Sequence, residues 1–337
     1  MSASEAGLSA RGRPGRALPA LLLAVLLTTS GCARQSEQAN PPSPAPSPAQ
    51  TPSSAPAATQ GIPNLGHIFI ILMENKSLAE LIGSPQAPYI NRLAETYAYA
   101  GEYYAIRHPS LPNYLALASG STQGITTDCP TCTVNAPNLV DQLEAWQKSW
   151  AAYMEDMPQP CFNGAYAGGP LAVLGLSGYA RKHNPWIYFD NIRNNPARCE
   201  RIVPLTELAP ALKQGQLPDY VWITPNQKHD MHNGSVEDGD KWLASFVPAI
   251  LASPAWQNNG VLFIIWDEGT TNAGCCGDAS GGQTLALVIA AQGKRGYRSA
   301  TPYTHYSVLR TIEEAWQLGY LGGALDPGTQ AMSDFFR

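Results

Sequence analysis

Three stretches of the chain are apolar at nearly every position and are bounded by polar or turn-forming residues: 67–73 (HIFIILM), 220–223 (YVWI) and 260–266 (GVLFIIW). Short runs of this kind, rich in β-branched and aromatic residues, predict strands buried on both faces, as in a parallel sheet. A fourth run, 284–291 (TLALVIAA), predicts another strand. Between the runs the apolar positions recur at helical spacing, over 87–98, 112–118, 138–147, 206–213, 240–251 and 305–316. Strands alternating with helices predict an α/β fold, a three-layer α/β/α sandwich on a mainly parallel sheet.

In such folds ligands bind beyond the carboxyl ends of the strands. Glu74 and Asn75 follow the first run. Thr224-Pro225-Asn226 and then His229-Asp230-Met231-His232 follow the second, and Asp267 and Glu268 follow the third. Carboxylates and an amide oxygen converging on one edge suit a hard divalent cation, which removes their mutual repulsion. The plainer alternative is helix capping and solvation. Ser110 lies in His108-Pro109-Ser110-Leu111-Pro112-Asn113-Tyr114, just before the helix predicted to open at Pro112. There it is either an N-cap or a nucleophile beside an anion-binding helix start.

The ends of the chain have a different composition. Arg11, Arg13 and Arg16 precede an apolar stretch, 17–28, too short to span a bilayer comfortably; Ser30-Gly31-Cys32 then follow. Residues 1–31 read as an export signal that resembles a bacterial lipoprotein leader, with Cys32 the lipidated residue, although Thr29 stands where such leaders usually carry Leu. Plain secretion is the alternative. Residues 32–60 are Pro, Ser, Ala, Thr and Gln in the main and read as a spacer. Residues 61–337 form the folded, catalytic part. Export to the cell envelope with a lipid anchor in the membrane is the expected localisation. Six further cysteines, an even number, suit disulfides in an oxidising compartment. Cys129–Cys132 and Cys161–Cys199 are the expected pairs. A zinc-thiolate site at Cys129 and Cys132 lacks a second pair of ligands. A net charge of −5 argues against nucleic acid as a partner.

Seven segments in order, GHIFIILMENKS, HPSLPNYLALASG, SWAAYMEDMP, YARKHNPW, PNQKHDMHNGS with GDKWL, WDEG and YTHYSVLRTIEEAW, resemble the bacterial phosphoesterase family. That family holds secreted acid phosphatases, phosphoinositide phosphatases and phospholipases C, within the alkaline-phosphatase superfamily. The resemblance spans about residues 65–321. It implies an alkaline-phosphatase-like fold, and Glu74, Asn75, Ser110, Asp267 and Glu268 as ligands of one divalent metal (Ca, Mg, Mn or Zn). Ser110 is also the implied nucleophile, giving a phosphoserine intermediate. His108, Asn113, Lys182, His183, Asp230 and His232 match positions lining the phosphate pocket. His232, with His108 as rival, is expected to protonate the leaving alcohol. Lys76 departs from the histidine usual after Glu-Asn. The substrate is thus expected to be a phosphate monoester; a phospholipase C-type diester and an inactive lipid-anchored binding protein are the alternatives. His67 reads as structural, His229 and His305 as either structural or pocket groups, and Trp150, Tyr153 and Trp186 as core.

Overall fold

A computed structural model describes residues 61–169, 171–174 and 177–337. The expected leader 1–31, Cys32 and the spacer 32–60 lie outside the described residues, and no helix among those described is long and apolar enough to cross a membrane. The strands are β1 (Ile68–Met73), β2 (Ala98–Tyr104), β3 (Trp150–Met154), β4 (Tyr166–Ala167), β5 (Tyr179–Ala180), β6 (Ile202–Pro204), β7 (Tyr220–Thr224), β8 (Val261–Trp266), β9 (Gln283–Ala290), β10 (Tyr297–Ser299) and β11 (Tyr303–Thr304). Nine of them form one sheet in the order β10-β2-β9-β8-β1-β7-β3-β6, with β11 also on β2; β4 and β5 pair separately. β8, β1, β7, β3 and β6 run parallel, and β9 is antiparallel to both neighbours.

The sheet is covered on both faces, and β1 shows why its sequence is uniformly apolar. Ile68, Ile70 and Leu72 pack into one core with Tyr114, Leu115 and Leu309. Phe69, Ile71 and Met73 point into the other, with Leu93, Leu243 and Val247. Alternate side chains thus serve opposite layers. The first layer contains the helices Ser110–Ser119, Leu139–Ala145 and His305–Ala315, the second the helices Pro88–Thr96, Leu208–Gln214 and Val236–Leu251. This is the expected three-layer architecture with a mostly parallel sheet.

Local chemistry sets several boundaries. The helix expected to start at Pro112 begins two residues earlier, at Ser110, with Pro112 inside its first turn, where a missing N–H costs nothing. It stops at Gly120, whose left-handed backbone (φ 69°) faces the Leu321 carbonyl so closely that any Cβ would overlap it. The helix expected over 87–98 ends at Thr96, because Ala98 already belongs to β2. Trp150, Tyr153 and Trp186 are core residues. His67 Nδ1 lies 3.0 Å from the Pro218 carbonyl, a structural contact. The described cysteines pair as Cys129–Cys132, Cys161–Cys199 and Cys275–Cys276.

Candidate active site

The carboxyl ends of β1, β7 and β8 bring the candidate residues together. β1 ends in Glu74, fully buried, whose backbone N–H donates to the Asp230 carbonyl at 2.8 Å. Pairing of β1 with β8 carries on past the strands: Asp267 N–H donates to Met73 O, and Asn75 N–H donates to Asp267 Oδ1, both at 2.9 Å. Asn75 (φ 53°) and Met231 (φ 82°) adopt left-handed backbone without being glycine. Strain of this sort costs on the order of 1–3 kcal/mol for each residue and persists where surrounding contacts enforce it. Here Lys76 enforces it, donating from Nζ to the carbonyls of Asn75 (3.1 Å) and Met231 (2.9 Å).

Ser110 Oγ donates to Glu74 Oε2 at 2.8 Å, and Tyr114, one helical turn later, donates from its hydroxyl to Glu74 Oε1 at 2.7 Å. Ser110 sits at the amino end of its helix, where free N–H groups favour an anion. His232 Nδ1 lies 3.1 Å from Glu74 Oε2, and His183 Nε2 lies 3.2 Å from Glu74 Oε1. His183 is stacked on the Tyr114 ring with centroids 5.4 Å apart. Asp230 lies behind the two histidines. Its Oδ1 accepts from His232 N–H at 2.7 Å, and its Oδ2 is 3.0 Å from His183 Nδ1. That last distance is short, but the groups are not aligned for a hydrogen bond; both ring nitrogens of His183 and Oδ2 of Asp230 lack a bonded partner.

The electrostatics are those of several carboxyls crowded together in a buried place. Burial, then the charges of Glu74 and Glu268, pushes the Asp267 carboxyl well above its ordinary value. Burial and Glu74 do the same to Asp230. Glu268 is raised to about 9 by burial, Glu74 and Asp128. Burial also opposes ionisation of Glu74, but His183, His232 and Lys182 outweigh it and hold that carboxyl well below the usual range. Burial lowers the His183 imidazole, with the Glu74 charge pulling the other way. Asp267 Oδ2 is buried with no hydrogen-bond partner, a condition worth about 1–3 kcal/mol of instability unless something else binds it. Glu74, His183 and His232 bring ligand atoms within 4.8 Å of one another. Oxygen and imidazole donors around an orphaned carboxylate oxygen fit a divalent cation.

Residues 84–319 match the Phosphoesterase family. The chain belongs to the phosphoesterase family. It is a phosphoric ester hydrolase. A phosphatidylinositol-3-phosphatase of Mycobacterium tuberculosis is 34% identical over 270 residues, which cover 79% of this chain and 82% of that protein. A probable acid phosphatase of Kluyveromyces lactis is 32% identical over 75% of this chain and 59% of its own length. A phosphate-repressible acid phosphatase of Penicillium chrysogenum is 28% identical over 69% and 55%. The chain therefore spans little more than half the length of these fungal relatives. Among solved structures, an alkaline phosphatase superfamily protein from Vibrio parahaemolyticus aligns over 81% of this chain and 72% of its own, with TM-score 0.50 and 14% identity. A Bacteroides thetaiotaomicron protein from work on glycosaminoglycan metabolism aligns over 80% and 81%, with TM-score 0.53 and 12% identity. At these identities the structures show the fold alone.

In this phosphoesterase the residues singled out by sequence do not all face the same way. Ser110, His183 and His232 all meet the Glu74 carboxylate, and the Asn75 backbone is bonded to Asp267. Glu268 lies near enough to Glu74 for that charge to raise it, and its Oε2 is 3.0 Å from His108 Nδ1 and 3.4 Å from Asn113 Nδ2. His108 Nε2 donates to the Thr271 carbonyl at 3.0 Å. Asn113 braces the 106–109 loop: its Oδ1 accepts from Ile106 and Arg107 N–H at 3.0 Å, and its Nδ2 donates to the Arg107 carbonyl at 2.7 Å. His229 pairs with Glu155 at 2.9 Å and stacks on Trp242, away from Ser110. His305 Nε2 faces the Asp267 carbonyl at 2.6 Å. A carbonyl only accepts, so Nδ1 receives the Tyr103 hydroxyl proton at 2.7 Å; the ring anchors the Asp267 backbone. Sequence reasoning missed Tyr114, Lys76 and Asp128. Tyr114 had a usable signal, lying four residues after Ser110 on the same helix face.

Proposed function

We propose that this phosphoesterase hydrolyses phosphate monoesters through Ser110 as nucleophile, with a phosphoserine intermediate. The observation that carries the reading is Ser110 Oγ, at a helix start, 2.8 Å from a buried strand-end carboxylate in an anionic cluster with an orphaned oxygen. Glu74, Asn75, Ser110, Asp267 and Glu268 would hold a divalent ion, with His183 and His232 beside Glu74. Bound there, the ion would supply Lewis-acid stabilisation of the serine alkoxide and of the phosphoryl oxygens.

The protein's own groups account for the rest. Glu74 and the start of the Ser110 helix fix the hydroxyl for in-line attack on phosphorus. Lys182, held protonated because Glu74 and Asp128 outweigh the effect of burial, offers positive charge to the equatorial oxygens. As the Ser110 O–P bond forms, with the hydroxyl proton passing to solvent, and the ester P–O bond breaks, the leaving alcohol takes a proton from His232, which His232 recovers from the water that attacks next. That ring's Nε2 has only a 3.4 Å contact, with Lys182, whereas both nitrogens of His108 are engaged. Water then cleaves the phosphoserine and releases phosphate.

The relatives named as acid phosphatases and as a phosphatidylinositol-3-phosphatase support a monoester substrate, phosphoinositides included. The test is a comparison of p-nitrophenyl phosphate, bis-p-nitrophenyl phosphate, phosphoinositides and phosphatidylcholine, with and without chelator. Monoesters should turn over and chelation should abolish it; faster diester turnover would overturn the monoesterase reading. Cys32, following the apolar stretch 17–28, is the proposed lipid anchor that places the enzyme in the cell envelope. Radiolabelled palmitate incorporation that persists in Cys32→Ser would refute it.

A further inference from the structure

Beyond keeping Lys182 charged, Asp128 takes no part in the mechanism above, yet it occupies two of the groups that mechanism needs. Its Oδ1 accepts from the Leu111 N–H at 3.0 Å, and its Oδ2 accepts from Lys182 Nζ at 2.7 Å. Leu111 directly follows the proposed nucleophile and belongs to the first turn of the helix, where backbone N–H groups have no partner within the helix. The contacts close a ring in front of Ser110. Ser110 Oγ meets Glu74, Glu74 meets His232 Nδ1 (3.1 Å), His232 Nε2 meets Lys182 Nζ (3.4 Å), and Lys182 meets Asp128, which returns to Leu111. A phosphoryl group bonded to Ser110 would meet Leu111 N–H and Lys182 on the side that Asp128 occupies.

The Asp128 carboxylate is built in rather than loosely placed. The Cys129–Cys132 disulfide follows it immediately. The Tyr188 hydroxyl donates to the Cys129 carbonyl at 3.0 Å, and Arg181 donates to the carbonyls of Pro130 and Cys132. Arg181 therefore fixes the loop while its neighbour Lys182 pairs with the carboxylate. A carboxylate presents two anionic oxygens much as one edge of a phosphate does, so the same two donors serve either anion.

We infer that Asp128 is a specificity-determining residue: a resident anion that competes with phosphate for Leu111 N–H and Lys182, keeping product phosphate weakly bound. This rests on the reading that Lys182 and the Ser110 helix start line the phosphate pocket. Phosphate entering the ring must displace the carboxylate from at least one donor and tolerate its charge at close range. The side chain of Asp128 is 28% exposed, so solvent and salt screen the repulsion without abolishing it.

The sign of the effect separates this role from a merely structural one, since damage to the pocket weakens phosphate binding whereas loss of a competitor strengthens it. The experiment measures the competitive inhibition constant of inorganic phosphate against p-nitrophenyl phosphate, at low and high salt, on the metal-loaded enzyme. Wild type, Asp128→Asn, Asp128→Ser and Lys182→Met are compared. Both Asp128 variants should bind phosphate roughly tenfold more tightly at low salt, and the gain should shrink as salt rises. Lys182→Met should bind it more weakly. If Lys182→Met weakens phosphate but neither Asp128 variant tightens it, the competitor role is wrong and the pocket stands. If Lys182→Met leaves the constant unchanged, the phosphate pocket itself has been misplaced and the inference falls with it.

Discussion

Two buried carboxylates in this molecule have opposite surroundings. Asp240, on the long helix Val236–Leu251, faces the start of the helix Pro88–Thr96, where its oxygens accept from Tyr89 N–H at 3.1 Å and Ile90 N–H at 2.8 Å. Burial still raises its carboxyl, but those two amides pull against the shift. Asp267 is buried more deeply, shares its surroundings with Glu74 and Glu268, and has one oxygen with no hydrogen-bond partner among the described residues. The first arrangement is complete and joins two helices of one layer. The second crowds carboxyls around an oxygen with no hydrogen-bond partner among the described residues, a setting that suits a divalent cation. Satisfied burial marks structure and unsatisfied burial marks chemistry.

Substitutions at the two places should therefore separate activity from stability. The largest effect is expected from Ser110→Ala, a loss of about a thousandfold or more in kcat with an unchanged melting temperature. Asp267→Asn should cost on the order of a hundredfold in activity and yet raise the melting temperature of chelated protein at alkaline pH, because it removes a carboxyl whose ionisation burial, Glu74 and Glu268 oppose. The same logic fixes a pH dependence. Asp267, Asp230 and Glu268 have folded-state pKa values above the unfolded carboxyl value, Glu268 reaching about 9. Their contribution to stability is fully present below about pH 4 and is lost as pH rises through those folded values, so chelated protein should melt progressively lower over that range. Glu74 is shifted the other way, and its contribution is lost only in strong acid. Scanning calorimetry with and without divalent ion checks this; no metal-dependent change in the slope against pH would count against the cation.

Smaller effects should follow away from Ser110. Lys76→Met releases the carbonyls of Asn75 and Met231 and should cost roughly tenfold in kcat, by loosening residues that carry the site rather than by removing one. Asp240→Ala should lower stability by about 1–3 kcal/mol in denaturant titrations and leave kcat nearly unmoved. Were Asp240→Ala to impair catalysis as much as Asp267→Asn, the contrast between the two carboxylates would not hold.

Where the sequence was readable and where it was not follows from the same distinction. β1, β7 and β8 are sandwiched between two layers, so their apolar runs are unbroken and the polar residues after them mark the sheet edge. That is why Glu74, Asn75 and Asp267 were legible before any coordinates. β2 (AYAGEYY) and β3 (WAAYM) rely on small or amphipathic residues and show no such run, so both strands were missed. β9 was legible as a strand, but its reversed direction was not, because periodicity carries no sense of direction. The contact of Glu268 with His108 depends on His108 arriving from another segment. Tyr114, Lys76 and Asp128 take their significance from partners up to 155 residues distant, which spacing along the chain does not reveal.

The central claim is that Ser110 becomes covalently bonded to phosphorus. Acid quenching of the metal-loaded enzyme during turnover of p-nitrophenyl phosphate, followed by peptide mass spectrometry, reads this directly. The expected result is one phosphoryl group on the peptide containing Ser110, absent from Ser110→Ala and from chelated enzyme. An unmodified Ser110 peptide under those conditions, together with sustained turnover by Ser110→Ala, would contradict it.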